Sequence, residues 1–300
     1  MKRRNFIRIA IPGVILACSI CFFTAKSDPS SAIEGSRKTK VVVVRGNDIQ
    51  DAFDCAMNEL GGFQTFIEKG RPIAVKPDMS TDALPEEGLT TNPQLVKYIS
   101  QQCYKFGSGA LSTFDYCLDD WTKCYKNSGI ERLAKNAGVK VLPGNHESYF
   151  RDREIEGATI FTHARIHASI NSNNMLIDIP VLKTDTETTI SGAVKNLMGC
   201  VFNRDSYYQK GLNRCLAEFL FYKKPELTVI DAGRLLGGKG VKSTDFVLIV
   251  SADVLAADAV ACRMLGIDPQ SVEHLRVAAE LGLGIISETE MDVKTIDLKE

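Results

Sequence analysis

Short apolar runs rich in β-branched residues, each followed by a turn or a helical stretch, constrain this chain more than any other feature. Val41 to Val44 is the plainest, four consecutive valines that read as a buried strand. Pro72 to Val75, Ala110 to Phe114, Val139 to Leu142, Met175 to Leu182, Leu227 to Ile230 and Phe246 to Val250 repeat the pattern. Between them lie segments of helical period. Ile49, Ala52, Phe53, Ala56, Met57 and Leu60 make one stripe over Asp48 to Leu60, which Gly61 and Gly62 end. Thr91, Asn92 and Pro93 cap a second helix, Gln94 to Phe106. Ile130 to Asn136, Leu212 to Tyr222 and Val272 to Leu281 are further helices, and Ile285 to Leu298 is a short edge element. Strands that alternate with helices predict an α/β fold, a mostly parallel sheet flanked by helices in the doubly wound, Rossmann-like manner. A chain of 300 residues that is 44% hydrophobic has ample material for that core. Its net charge of −1 gives no reason to expect a nucleic-acid partner.

In such sheets ligands bind at the carboxyl ends of strands, so residues that directly follow an apolar run are the first candidates for a site. Lys76, Asp115, Lys183 and Asp231 hold those places. The stretch Asp178 to Gly199 carries most of the signal. A strand runs into Lys183, a polar loop spans Thr184 to Thr188, and Ile190, Ala193, Val194, Leu197 and Met198 recur at helical spacing, with Gly199 as a stop. Lys195 on that helix faces back towards Lys183, so both ammonium groups can meet one small-molecule anion. The competing account makes both of them solvated surface lysines.

Other groups are weaker. Gly233, Gly237, Gly238 and Gly240 follow a strand and would let backbone amides approach a phosphate, but the spacing is neither that of a Walker loop nor that of a dinucleotide fingerprint. Asp253 and Asp258 bracket a helix start, where capping is the usual role of Asp. His163 and His167, four apart, would share a face of a helix and could chelate a metal, although Ile160, Phe161 and Ile166 suit extended structure equally well. Of nine cysteines, Cys18 and Cys21 lie in the N-terminal apolar run. Cys117 and Cys124 are the nearest pair among the rest, no C-x-x-C occurs there, and Cys55, Cys103 and Cys262 fall on apolar helical stripes as buried thiols.

The first residues read as a targeting segment. Lys2, Arg3 and Arg4 precede Asn5 and Phe6 in an Arg-Arg-x-Phe pattern, and Ile9 to Ala25 is almost wholly apolar. This is similar to a twin-arginine export signal; a Sec signal, a membrane anchor, or lipidation at Cys18 within Ile15 to Cys18 are the other readings. Residues 1–25 are thus expected to be a signal or anchor, 26–40 a polar linker and 41–300 the folded domain, in an exported, periplasmic or cell-envelope protein.

The run IPVLKT followed by AVKNLMG resembles the signature of the DUF362 family, a strand that ends in Lys and then a Lys-Asn-Leu-x-Gly helix. Val75, Lys76 and Pro77, Thr91 to Pro93, Pro225 to Ala232, Gly238 to Val241, Ser251 to Asp258 and Gly282 to Gly284 resemble its other blocks. Two positions depart from the usual pattern: Asp185 stands where His is frequent, and Asp78 where Asn is. No cysteines are spaced like the ferredoxin-type module that family members often carry, so an iron–sulfur site of that kind is not expected. The resemblance implies the fold and leaves the chemistry open. Read from the residues themselves, Lys183, Lys195 and Asp231 are the candidate reacting groups, and Lys76, Asn196, Gly238, Gly240 and Asp258 the candidate ligand-binding ones. The sequence names no cofactor. Three classes of function follow: an enzyme or binder that takes a small anionic metabolite or a metal-containing cofactor, a non-catalytic metal- or anion-binding maturation factor, and a redox accessory protein.

Overall fold

A computed structural model describes residues 38–236 and 246–299, which fall in the unit Lys38–Glu300. The expected signal, and the linker up to residue 37, lie outside the described residues. The strands are β1 (Thr39–Gly46), β2 (Ile73–Pro77), β3 (Leu111–Thr113), β4 (Lys140–Val141), β5 (Phe150–Glu154), β6 (His163–His167), β7 (Met175–Ile179), β8 (Lys183–Asp185), β9 (Thr189–Ser191), β10 (Leu227–Asp231), β11 (Phe246–Ser251) and β12 (Met291–Asp297). The helices are α1 (Ile49–Glu59), α2 (Pro93–Lys105), α3 (Trp121–Asn127), α4 (Ile130–Asn136), α5 (Ala193–Asn196), α6 (Asp205–Lys210), α7 (Leu212–Tyr222), α8 (Gly233–Leu236), α9 (Val254–Met264) and α10 (Glu273–Glu280).

An eight-stranded sheet runs in the order β12-β1-β11-β10-β7-β2-β3-β4. Only β11 opposes the others, pairing antiparallel with both β1 and β10, so the sheet is mostly parallel as the alternation predicts. The valine run explains why the sheet has helices on two sides. Val41 and Val43 enter one core with side chains of α5, α7, α9 and α10, while Val42 and Val44 enter the other with side chains of α1, α2 and α4. Successive side chains of a strand point to opposite faces, so an uninterrupted apolar run needs cover on both. Burying each valine contributes roughly 1.5 kcal/mol or more, which fixes β1 between β11 and β12.

The helices begin where their caps predict. Asp48 accepts from the amides of Gln50 and Asp51, and Asn92 accepts from that of Gln94, with Pro93 in the first turn of α2. Outside the main sheet, β5 and β6 form an antiparallel hairpin whose connecting segment is tied to α7 by Glu218. That carboxylate is fully buried and accepts from the amides of Thr159, Ile160 and Phe161 and from Arg214. The hairpin settles the histidine pair. His163 is exposed at one end of β6, whereas His167 at the other end is buried and stacked on Phe114, its ring centroid 3.7 Å away. The helical chelate therefore does not form, and no group of three potential metal ligands occurs among the described residues. Cys103 and Cys262 are buried free thiols as expected, and Cys55 is half-buried.

Candidate functional site

The stretch after β7 differs most from its sequence reading. The predicted polar loop and long helix are instead a β8–β9 hairpin followed by the four-residue α5 and a 3₁₀ turn, Leu197–Cys200. Ile190 is buried in β9, so its helical spacing to Ala193 and Val194 is coincidental. Asp185 organises the turn: its Oδ1 accepts from the amides of Glu187 and Thr188 and from the Thr188 hydroxyl. Thr189 closes it with φ of 70°. Gly199 is not a helix stop. A Cβ there would lie 2.0 Å from Asp115 Oδ1 and 3.0 Å from Lys76 Cε, so glycine makes room for that ion pair.

The hairpin, the segment after it and the ends of β2 and β3 line a cavity of about 240 Å³. Lys183, Lys195 and Arg204 line it together with Asp78, Asp115 and Asp185; Asn196 and Met198 complete one wall. Its two lysines are each paired with a carboxylate. Lys183 Nζ lies 2.7 Å from Asp78 Oδ2 and also donates to Leu89 O, and Lys195 Nζ lies 2.6 Å from Asp185 Oδ2. The two positions that depart from the resembling family pattern thus supply the carboxylates that hold the two lysines. Burial pushes the Asp78 carboxyl up, but the charge and hydrogen bond of Lys183 outweigh it and hold it below the usual range. Asp185 is likewise held low: the hydrogen bond from Lys195, with those of Thr188, overrides a partial burial.

Beneath the cavity lies a buried polar cluster. Lys76 is wholly buried, 2.8 Å from Asp115 Oδ1, and donates to Pro77 O and Asn196 Oδ1. Burial alone would favour the neutral amine, yet the Asp115 charge keeps the lysine protonated. Asn196 turns its amide nitrogen to Lys76 O and to Asp178 Oδ1. Burial pushes the Asp178 carboxyl well above the ordinary range, and its Oδ2 is buried without a hydrogen-bond partner. Met79 N donates to Asp115 Oδ2, fixing that carboxylate at the cavity wall.

Of the residues singled out in the sequence, the structure therefore gathers Lys183, Lys195 and Asn196 at one cavity. Lys76 is not an open clamp; it is the internal counter-ion of Asp115. Asp231 is outside the cavity lining, and its Oδ2 accepts from Asn92 N at the start of α2. Asp258, buried on α9, accepts from Ala193 N and Val194 N. Its carboxyl is pushed up to about 6 by burial, against those two amides, and it anchors the turn that carries Lys195. Gly238 and Gly240 lie outside the described residues. Arg204 was missed because no local pattern marks it. It precedes α6, lines the cavity directly and is held by Tyr116, whose carbonyl accepts from Nη2 and whose ring centroid lies 5.4 Å from the guanidinium.

Fold and site together define a Rossmann-like α/β protein with a small, charged pocket at the carboxyl edge of its sheet. Residues 73–263, well over half of the chain, match the family described as Domain of unknown function (DUF362), and the chain belongs to that family. It is also 24% identical over 239 residues to a thylakoid-associated protein of Synechocystis sp., an alignment that covers 76% of this chain and 73% of the relative. Among the described residues no helix is long and apolar enough to cross a membrane.

Proposed function

We propose that the strand-end pocket binds a small anionic metabolite. The observation that carries this reading is the convergence of Lys183, Lys195 and Arg204 on one cavity of about 240 Å³. Each lysine is held by a carboxylate and keeps donors to offer, since an ammonium has three and the lysines give two and one to the protein. The pairing holds the lysines in place before a ligand arrives, and the volume falls below the usual range for drug-sized ligands, so the ligand is small.

The structure alters the mutation that tests this. Removing Lys183 alone would leave Asp78, 5% exposed, without its cation. The double variants Lys183→Met/Asp78→Asn and Lys195→Met/Asp185→Asn remove each pair as a unit. Titration calorimetry with malonate and inorganic phosphate is expected to show affinity at least tenfold weaker in both, with cooperative unfolding retained. Affinity equal to that of the wild type in both variants would exclude the pocket.

Export is proposed on the basic start and apolar run of residues 2–25. With Arg3 and Arg4 changed to Lys, the protein is expected to accumulate in the cytoplasmic fraction. Unchanged export would remove the twin-arginine route, and a wild type confined to the cytoplasm would remove export altogether.

A further inference from the structure

Arg204 is the cation of the pocket whose charge the fold does not match. Lys76, Lys183 and Lys195 each sit within 3 Å of a carboxylate oxygen. Among the described residues no carboxylate lies within ion-pair distance of Arg204. Its Nη2 is engaged by a neutral carbonyl, that of Tyr116, and its Nε is buried with no hydrogen-bond partner. Arg204 is half-buried and held against the Tyr116 ring, so its position is fixed although no carboxylate pairs with it among the described residues. A desolvated, positioned guanidinium whose donors are incompletely used is suited to an oxyanion, because its planar fork matches two oxygens at once. We propose that Arg204 anchors an oxyanion group, carboxylate or phosphoryl, of the ligand in this pocket, while the paired lysines contact the rest of it.

The inference rests on the binding reading above and deepens it. It also gives Asp78 and Asp185 a role, since they compete with the ligand for the lysines and so moderate affinity. The two kinds of residue then pull in opposite directions. Loss of Arg204 removes a pocket cation that no carboxylate pairs with among the described residues, whereas loss of Asp185 releases Lys195 to the ligand.

Calorimetric titration of the full chain with malonate and, separately, with inorganic phosphate tests this. Arg204→Met, together with Arg204→Lys, which keeps the charge and can still reach the Tyr116 carbonyl but lacks the fork, is expected to weaken binding at least tenfold. Asp185→Asn is expected to tighten it at least threefold. Binding of only one probe, if lost in the Arg204 variants, supports the proposal and fixes the oxyanion as phosphoryl or carboxylate. Arg204 variants that bind like the wild type, beside a Lys195→Met/Asp185→Asn variant that does not, would overturn the anchor and leave the pocket standing. A wild type that binds neither probe overturns both.

Discussion

Lys76→Met is expected to lower the free energy of unfolding by about 3–5 kcal/mol, the cost of leaving a buried carboxylate without its cation. The expectation rests on geometry. Lys76 is fully buried and Asp115 nearly so, their charged atoms are 2.8 Å apart, and the lysine also satisfies Pro77 O and Asn196 Oδ1. Asp115 is the carboxylate at ion-pair distance from Lys76, whereas Asp178 Oδ1 is taken by the Asn196 amide. Methionine matches the length of the stem and removes only the charge and its donors. Equilibrium urea denaturation measures the loss, and Lys76→Met/Asp115→Asn is expected to recover a large part of it, since Asn keeps an acceptor for Met79 N. A single variant that loses less than about 1 kcal/mol would mean that water reaches the pair.

The second large effect comes from one methyl group. Gly199→Ala should cost about 3 kcal/mol, because its Cβ would sit 2.0 Å from Asp115 Oδ1 and 3.0 Å from Lys76 Cε. Neither neighbour is the free end of an exposed side chain, so relief requires the carboxylate to swing away and the ion pair to part. The melting temperature and the calorimetric affinity for malonate should therefore fall together. A Gly199→Ala variant with the stability of the wild type would show that the 3₁₀ turn can move aside at little cost.

The sheet was legible because its strands are buried on both faces, and such strands advertise themselves as β-branched runs such as Val41 to Val44. The reversed β11 was not, since Phe246 to Ser251 carries no mark of direction. Helix caps were equally readable at Asp48 and Asn92, where a side chain bonds to its own neighbourhood. The hairpin at Lys183 to Ser191 escaped because Ile190 falls at helical spacing from Ala193 and Val194 by accident, and because the bonds that make Asp185 a turn residue leave no periodic trace. Strand-end logic found Lys183 and Asp115 at the cavity but misjudged Lys76, whose partner comes from a different strand. The bond from α5 to Asp258 was hidden for the same reason, since it joins residues 65 apart in the chain. Arg204 shows the limit most clearly, for its contact with Tyr116 spans 88 residues.

The β8–β9 hairpin carries one pocket lysine, and the short helix directly after it carries the other, with Asp185 at the turn tying them together. Its ladder is only three residues long on each side, so the fragment is held mainly from below, by Ile190 in the core and by the Asp258 carboxylate that accepts from Ala193 N and Val194 N. Both ammonium groups thus depend on one short unit, whereas Arg204 stands just before α6 on another part of the chain. An anion that contacts both lysines would therefore brace this unit, and whatever free energy it draws from them adds to the stability of the folded hairpin.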